Sequence, residues 1–213
     1  MKSGKKALLL ALCAVLLVAA TVMGTMAYLT STDKVENTFT IGKVAITLDE
    51  AKVDEDGKAA TPAERVDKNT YHLMPGHSYT KDPTVHVAGG SEDSWIFVKV
   101  ENGIAAYEAA TSTEEGGYKK IADQIEANGW TELTGVAGVT GVYYKSYEKS
   151  DAAADLVVFG NFKIADNANT VEGWGDITAE TTKVTVTAYA VQKDGFDTPA
   201  AAWAVASTAT SGN

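Results

Sequence analysis

The stretch Trp95-Ile96-Phe97-Val98-Lys99-Val100-Glu101 decides the fold class of this chain. Its apolar residues Ile96, Val98 and Val100 recur at every second position, and the intervening positions form the other face of the segment, with Trp95, Phe97, Lys99 and Glu101. A period of two is typical of a β-strand that turns one face toward a hydrophobic core. The chain is therefore predicted to build its core from a β-sheet.

Several further segments have the same strand character. They are 39–48, Thr84–Val87, Val142–Tyr147, 156–164 and 183–192. In the first of these the apolar parity changes at Gly42-Lys43, as a β-bulge would produce. Pro75-Gly76 fits the two central positions of a type II turn between strands. Antiparallel strands joined by turns predict an all-β chain, specifically an antiparallel β-sandwich.

Helical periodicity is confined to one segment. Ile121 and Ile125 lie one helical turn apart within residues 118–128, and Gly129 follows where a helix would end. The sequence thus predicts one short helix inserted in a β protein.

The N-terminus has the pattern of an export signal. Three lysines, Lys2, Lys5 and Lys6, precede an apolar run over residues 7–23 and the triplet Thr25-Met26-Ala27. This pattern predicts a signal helix over residues 1–27, cut after Ala27, so that Tyr28 begins the mature protein. An uncleaved membrane anchor is the alternative, because a span needs about 20 apolar residues.

Charge and cysteine content exclude several functions for the mature chain. The net charge is −10 for all 213 residues and −13 after residue 27, since the signal contains three Lys and no acid. Such an acidic surface repels nucleic acid. Cys13 is the one cysteine and lies in the signal, so the exported protein has neither disulfides nor thiolate chemistry. The remaining length suits a single domain, predicted over residues 37–203, followed by a flexible tail over 204–213.

Candidate catalytic and metal-binding residues are few. The sequence lacks the His-Glu-x-x-His and Gly-x-Ser-x-Gly motifs, and the acidic stretch 54–57 lacks the ligand spacing of a calcium loop. We therefore predict no catalytic residue, metal site or cofactor. One alternative is a metal site at His72 and His77, completed by Asp82 or His86. Another is a carbohydrate platform built from aromatic residues, namely Trp95, Phe97, Tyr143, Tyr144, Tyr147, Tyr189 and Trp203.

Two segments around the cleavage site carry a family resemblance. Residues 26–31 (Met-Ala-Tyr-Leu-Thr-Ser) and 37–44 (Asn-Thr-Phe-Thr-Ile-Gly-Lys-Val) resemble the signal junction and first strand of the TasA/camelysin family, whose members are released by a SipW-type signal peptidase. The similarity continues through residues 73–76, 95–100 and 188–192 and ends at Ala202-Trp203.

The resemblance implies a jelly-roll sandwich that is secreted to the cell surface or the extracellular matrix and forms biofilm fibres. Each subunit would donate the segment after the cut, residues 28–36, to the sheet of the next. The implied self-assembly residues are Tyr28, Leu29, Thr30, Ser31, Thr32, Asp33, Lys34 and Val35. The expected partners are further copies of the chain, the signal peptidase and a matrix or nucleating accessory protein. An exported metal-dependent peptidase and a monomeric surface adhesin remain as alternatives.

Overall fold

Ten β-strands and two α-helices form within residues 43–178 and 181–208, which the computed structural model describes. The strands are β1 (Ile46–Ala51), β2 (Arg65–Val66), β3 (Ser78–Thr80), β4 (Thr84–Val87), β5 (Ser94–Asn102), β6 (Thr131–Glu132), β7 (Val142–Tyr147), β8 (Ala154–Val157), β9 (Asn161–Lys163) and β10 (Val184–Gln192). The helices are α1 (Ile121–Ala127) and α2 (Pro199–Ala206).

The strands form three antiparallel sheets. Two are four-stranded, with the orders β2-β1-β4-β8 and β10-β5-β7-β6, and β3 pairs with β9 in a third. The prediction of an all-β chain is thereby confirmed.

Side chains from both four-stranded sheets meet in one hydrophobic core. Val85 and Val87 of β4 are fully buried, as are Ile96 and Val98 of β5. Fully burying such a side chain is worth about 1.5–3 kcal/mol relative to exposure. The alternation predicted for residues 95–101 therefore places one face of β5 in this core.

The opposite face of β5 is covered by a helix that the sequence analysis did not predict. Trp203 of α2 packs on Phe97 at 5.4 Å and on Tyr189 at 5.2 Å between ring centroids. Thr198 caps the helix by accepting a hydrogen bond from the Ala201 N–H, and Pro199 occupies the first turn. The expectation of a single helix is corrected to two, and residues 204–206 of the predicted tail are helical.

The turn and helix predictions agree with the structure, but one predicted strand segment is divided. Gly76 has a φ of +80°, and the His77 N–H donates to the Met74 carbonyl at 3.2 Å, as a type II turn requires. Helix α1 ends before Gly129, whose φ is also positive. The segment 156–164 contains the end of β8 and all of β9, and these two strands belong to different sheets.

The predicted signal helix, the cleavage site at Ala27 and Tyr28, the donor residues 28–35 and the bulge at Gly42 lie outside the described residues. Over the part of the chain that is described, no helix has the length and apolar character to cross a membrane.

Candidate functional site

Strand β10 presents a long sheet edge. All nine of its residues pair with β5 on one side, and among residues 43–178 and 181–208 no strand pairs with its other side. The Gly103 N–H donates to the Lys183 carbonyl at 2.8 Å, and the Lys193 N–H donates to the Asp93 carbonyl at 2.8 Å. Odd-numbered residues of β10 therefore direct their peptide groups at β5, and even-numbered ones direct theirs at the other edge.

The composition of β10 leaves this edge without the usual protection against strand addition. Residues 184–192 (Val-Thr-Val-Thr-Ala-Tyr-Ala-Val-Gln) contain no charge, no proline and no glycine. Natural edge strands are commonly short, or interrupted by charges, prolines and bulges, because unpaired N–H and C=O groups are a template for another strand. An uncharged nine-residue edge is consequently a surface on which an extended chain could pair.

Strand β8, one of the two edge strands of the other four-stranded sheet, is protected in contrast. It has four residues, and its side chains Asp155 and Val157 are exposed. The Trp130 indole N–H donates to the Val157 carbonyl at 2.9 Å, and the Asn128 amide donates to the Val158 carbonyl at 3.1 Å. The Val157 carbonyl points away from β4, so the Trp130 side chain occupies an acceptor that an added strand would need.

A groove of about 550 Å³ lies beside the first half of β10, with β1 on its far side. The even-numbered side chains of β10 are half-buried and pack against the main core. The apolar lining of the groove consists of Leu48, Tyr71, Leu73, Ile104, Phe162, Val184 and Val186. An extended segment pairing with β10 could therefore insert alternate apolar side chains here.

One end of the groove contains a buried ion pair. The Lys81 ammonium lies 2.5 Å from Glu50 Oε2, with side-chain exposures of 10% and 5%. The other carboxylate oxygen, Oε1, accepts a 3.0 Å hydrogen bond from the Asn69 amide. The Lys81 ammonium also lies 6.0 Å from the centroid of the Tyr71 ring. A buried ion pair costs much desolvation energy. The lining of the groove also includes further charged residues, namely Asp49, Asp67, Lys68 and Lys183.

A charged network covers the outer face of β1, β4 and β8. Arg65 contacts the Asp49 carboxylate and lies 3.0 Å from Asp82 Oδ2. His86 lies with Nε2 2.9 Å from Asp49 Oδ1 and with Nδ1 2.6 Å from Asp155 Oδ1. The hydrogen bond with Asp49, and to a smaller extent the one with Asp155, raises the pKa of His86. Burial raises the pKa of Asp49, but the hydrogen bonds from His86 and Arg65 outweigh it and hold that pKa below its usual range.

The alternative metal site is not assembled by these contacts. His86 is engaged with two carboxylates, Asp82 is bound to Arg65, and His72 and His77 are exposed. No group of three or more His, Cys, Asp or Glu in the described ranges could hold a metal ion. The acidic stretch 54–57 is a turn in which an Asp54 carboxylate oxygen accepts a hydrogen bond from the Lys58 N–H at 2.8 Å.

The aromatic residues considered for a carbohydrate platform do not share one free face. Tyr143 and Tyr147 lie in the main core, while Phe97 and Trp203 are buried under α2. The other three aromatic residues are half-buried and pack against the cluster formed by Phe97 and Trp203. They are Trp95, Tyr144 and Tyr189.

The groove itself was missed by the sequence analysis, because its walls come from distant parts of the chain. Lys81 and Tyr71 fall in segments that were not predicted to be strands, and Glu50 lies just after the end of the predicted strand 39–48. The sequence contained one signal of the unprotected sheet edge. The predicted strand that became β10 is long and has no charged residue over 184–192, although 22% of all residues in the chain are charged.

The edge of β10 and its groove thus form the candidate site, with the buried Glu50–Lys81 pair at one end. This chain matches no family model, and it matches neither a curated protein nor a solved structure.

Proposed function

We propose that this chain is a secreted structural protein that assembles into extracellular fibres of a biofilm matrix by donor-strand exchange. The edge of β10 is the acceptor, and the donor is the segment 28–36 of a neighbouring copy. The single observation that carries the proposal is the uncharged edge of β10, nine residues long, lying beside a groove that is apolar in part. The donor segment also has nine residues, which is the length that β10 can pair with.

The remaining expectations belong to the same proposal. The two four-stranded sheets, whose side chains share one core, form a jelly-roll sandwich. Residues 1–27 are the signal helix, a SipW-type peptidase cuts after Ala27, and the chain acts at the cell surface or in the matrix. Assembly buries β10 by backbone hydrogen bonds, each contributing about 0.5–1.5 kcal/mol net. An accessory protein that supplies the first donor strand is compatible with this arrangement.

Electrostatic repulsion sets the conditions under which fibres should form. A subunit with charge −13 repels its copies, and both added salt and lower pH weaken that repulsion. Assembly is therefore expected to increase with ionic strength, up to the concentration where the fold itself is affected.

Negative-stain electron microscopy of residues 28–213 beside residues 37–213 tests the proposal. The described residues belong to a compact unit that begins at Gly42, after the truncation point, so the shorter protein is expected to keep its fold. Fibres from the longer protein alone are the expected result. Fibres from both proteins, or monomers from both at every pH and salt concentration, would contradict it.

A further inference from the structure

One member of the ion pair in the groove, Lys81, has N–H donors that lack an acceptor in the described part of the chain. An ammonium carries three N–H donors. Lys81 uses one of them on Glu50, and no other acceptor for its ammonium occurs among the described residues. Both carboxylate oxygens of Glu50 already have a donor, from Lys81 and Asn69. The groove is therefore left with unused donors at a side chain that is 90% buried.

A buried donor without an acceptor is unfavourable, so an occupant of the groove gains most by bringing an acceptor to Lys81. A carboxylate is the strongest such acceptor, since hydrogen bonds between two charged groups are about twice as strong as neutral ones. The segment 28–36 contains an acid at Asp33 and another at its last position, Glu36.

Side-chain parity distinguishes the two faces of the donor. Successive residues of a strand point to opposite faces, so Asp33 shares a face with the apolar residues Leu29 and Val35. The opposite face has an acceptor at Glu36, but it also has Lys34, a second ammonium, and Tyr28 as its one large side chain with apolar surface. Only the face with Asp33 combines two apolar residues for the apolar lining with an acceptor for the buried ammonium.

On the basis of the proposed function, we infer that Lys81 is the residue that sets donor register, by binding the Asp33 carboxylate of the incoming strand. Val35 and Leu29 then point to the same face of the donor strand as Asp33, toward the groove. A slip by one residue would put Thr32 or Lys34 against Lys81, and a slip by two would put Ser31 or Val35 there. The charged contact thus selects one register among several that the backbone alone would allow.

The test compares Asp33→Asn with Lys34→Gln in the mature protein of residues 28–213. The two substitutions are adjacent, each removes one charge, and they lie on opposite faces of the donor. The critical concentration for fibre formation is measured by sedimentation at low and high salt. Asp33→Asn is expected to raise the critical concentration about tenfold or more, because a hydrogen bond between charged groups is lost. Lys34→Gln is expected to change the critical concentration much less.

A groove variant provides the second half of a double-mutant cycle. Glu50→Gln combined with Lys81→Met removes both charges of the pair, and circular dichroism verifies that the variant is folded. In this background Asp33→Asn should have no further effect, because its partner is gone. If the groove variant does not fold, the comparison of Asp33→Asn with Lys34→Gln still tests the contact between Asp33 and Lys81.

The outcomes separate this inference from the proposed function. If Asp33→Asn assembles like the wild type while residues 37–213 do not assemble, the register contact is wrong and strand donation stands. A larger effect of Lys34→Gln than of Asp33→Asn would also overturn the register contact. If residues 37–213 assemble as well as residues 28–213, donation by residues 28–36 is itself wrong.

Discussion

His86 on β4 and Asp155 on β8 are register partners in the sheet, and their side chains meet at 2.6 Å between Nδ1 and Oδ1. The second ring nitrogen, Nε2, faces Asp49 on β1 at 2.9 Å. A neutral imidazole has one N–H and can donate to only one of these carboxylates, whereas the protonated ring donates to both. The arrangement therefore fits the imidazolium form and joins three strands through one charged side chain.

The first prediction concerns pH. The pKa of His86 is raised in the folded protein, so its stabilising effect is fully present below the unfolded value of about 6.5 and is lost as pH rises through the folded value. The pKa of Asp49 is lowered, so its contribution is present above about 3.9 and is lost as pH falls through its folded value. The Tm difference between wild type and His86→Gln should be largest near pH 5–6 and should shrink toward pH 8.5. A difference that is constant with pH would show that protonation of His86 is not involved.

The second prediction concerns the buried ion pair. Lys81→Met leaves the Glu50 carboxylate 5% exposed and without its countercharge. Removing one partner of a buried pair costs about 3–5 kcal/mol, because a buried charge is then uncompensated. Urea unfolding should show a loss of this size, and adding Glu50→Gln should recover much of it. A loss well below 1 kcal/mol for Lys81→Met alone would contradict the role of Lys81 as the countercharge of Glu50.

The sequence predicted those parts of the fold in which a local pattern coincides with burial. The alternation at Ile96, Val98 and Val100 is preserved because one face of β5 meets the main core. The type II turn follows from Pro75-Gly76, where the positive φ of glycine is a local requirement. Such features depend on neighbours in sequence, and they are therefore visible without the structure.

The parts that were missed depend on contacts between distant residues. The alternation in residues 95–101 placed Phe97 on the second face of β5 without showing what packs there, and α2, about 100 residues later, covers it. The start of that helix was signalled by Thr198-Pro199, which is a typical cap followed by a first-turn proline. Glu50 and Lys81 are 31 residues apart, and neither residue type predicts burial on its own. The groove could not be derived from any single segment.

The third prediction tests how much α2 contributes to stability. Trp203 is 6% exposed and contacts the rings of Phe97 and Tyr189. Trp203→Ala should lower the free energy of unfolding by about 3–5 kcal/mol, since it leaves a cavity over the outer face of β5. Val205 on the same helix is 49% exposed, so Val205→Ala is a matched control that should change stability by no more than about 0.5 kcal/mol. Denaturant unfolding of the two variants gives the comparison, and equal losses would contradict the packing role of Trp203.

The fourth prediction uses the direction of the peptide groups along β10. The N–H of Ala188 points away from β5, toward the edge that we propose accepts the donor strand. Proline has no N–H, so Ala188→Pro removes a donor for the incoming strand but no hydrogen bond to β5. Prolines are tolerated on edge strands at such positions. The variant should stay folded and fail to form fibres, as observed by circular dichroism and negative-stain electron microscopy.

The control for Ala188→Pro is a proline substitution on β8, an edge strand of the other four-stranded sheet. The Val158 N–H donates to the Pro83 carbonyl toward β4, so the N–H of Val157 points away from β4. Val157→Pro therefore removes an edge donor from β8, whose outward carbonyl at Val157 is already taken by Trp130. This variant should form fibres like the wild type. If both proline variants form fibres, or if Val157→Pro alone abolishes them, β10 is not the edge at which subunits join.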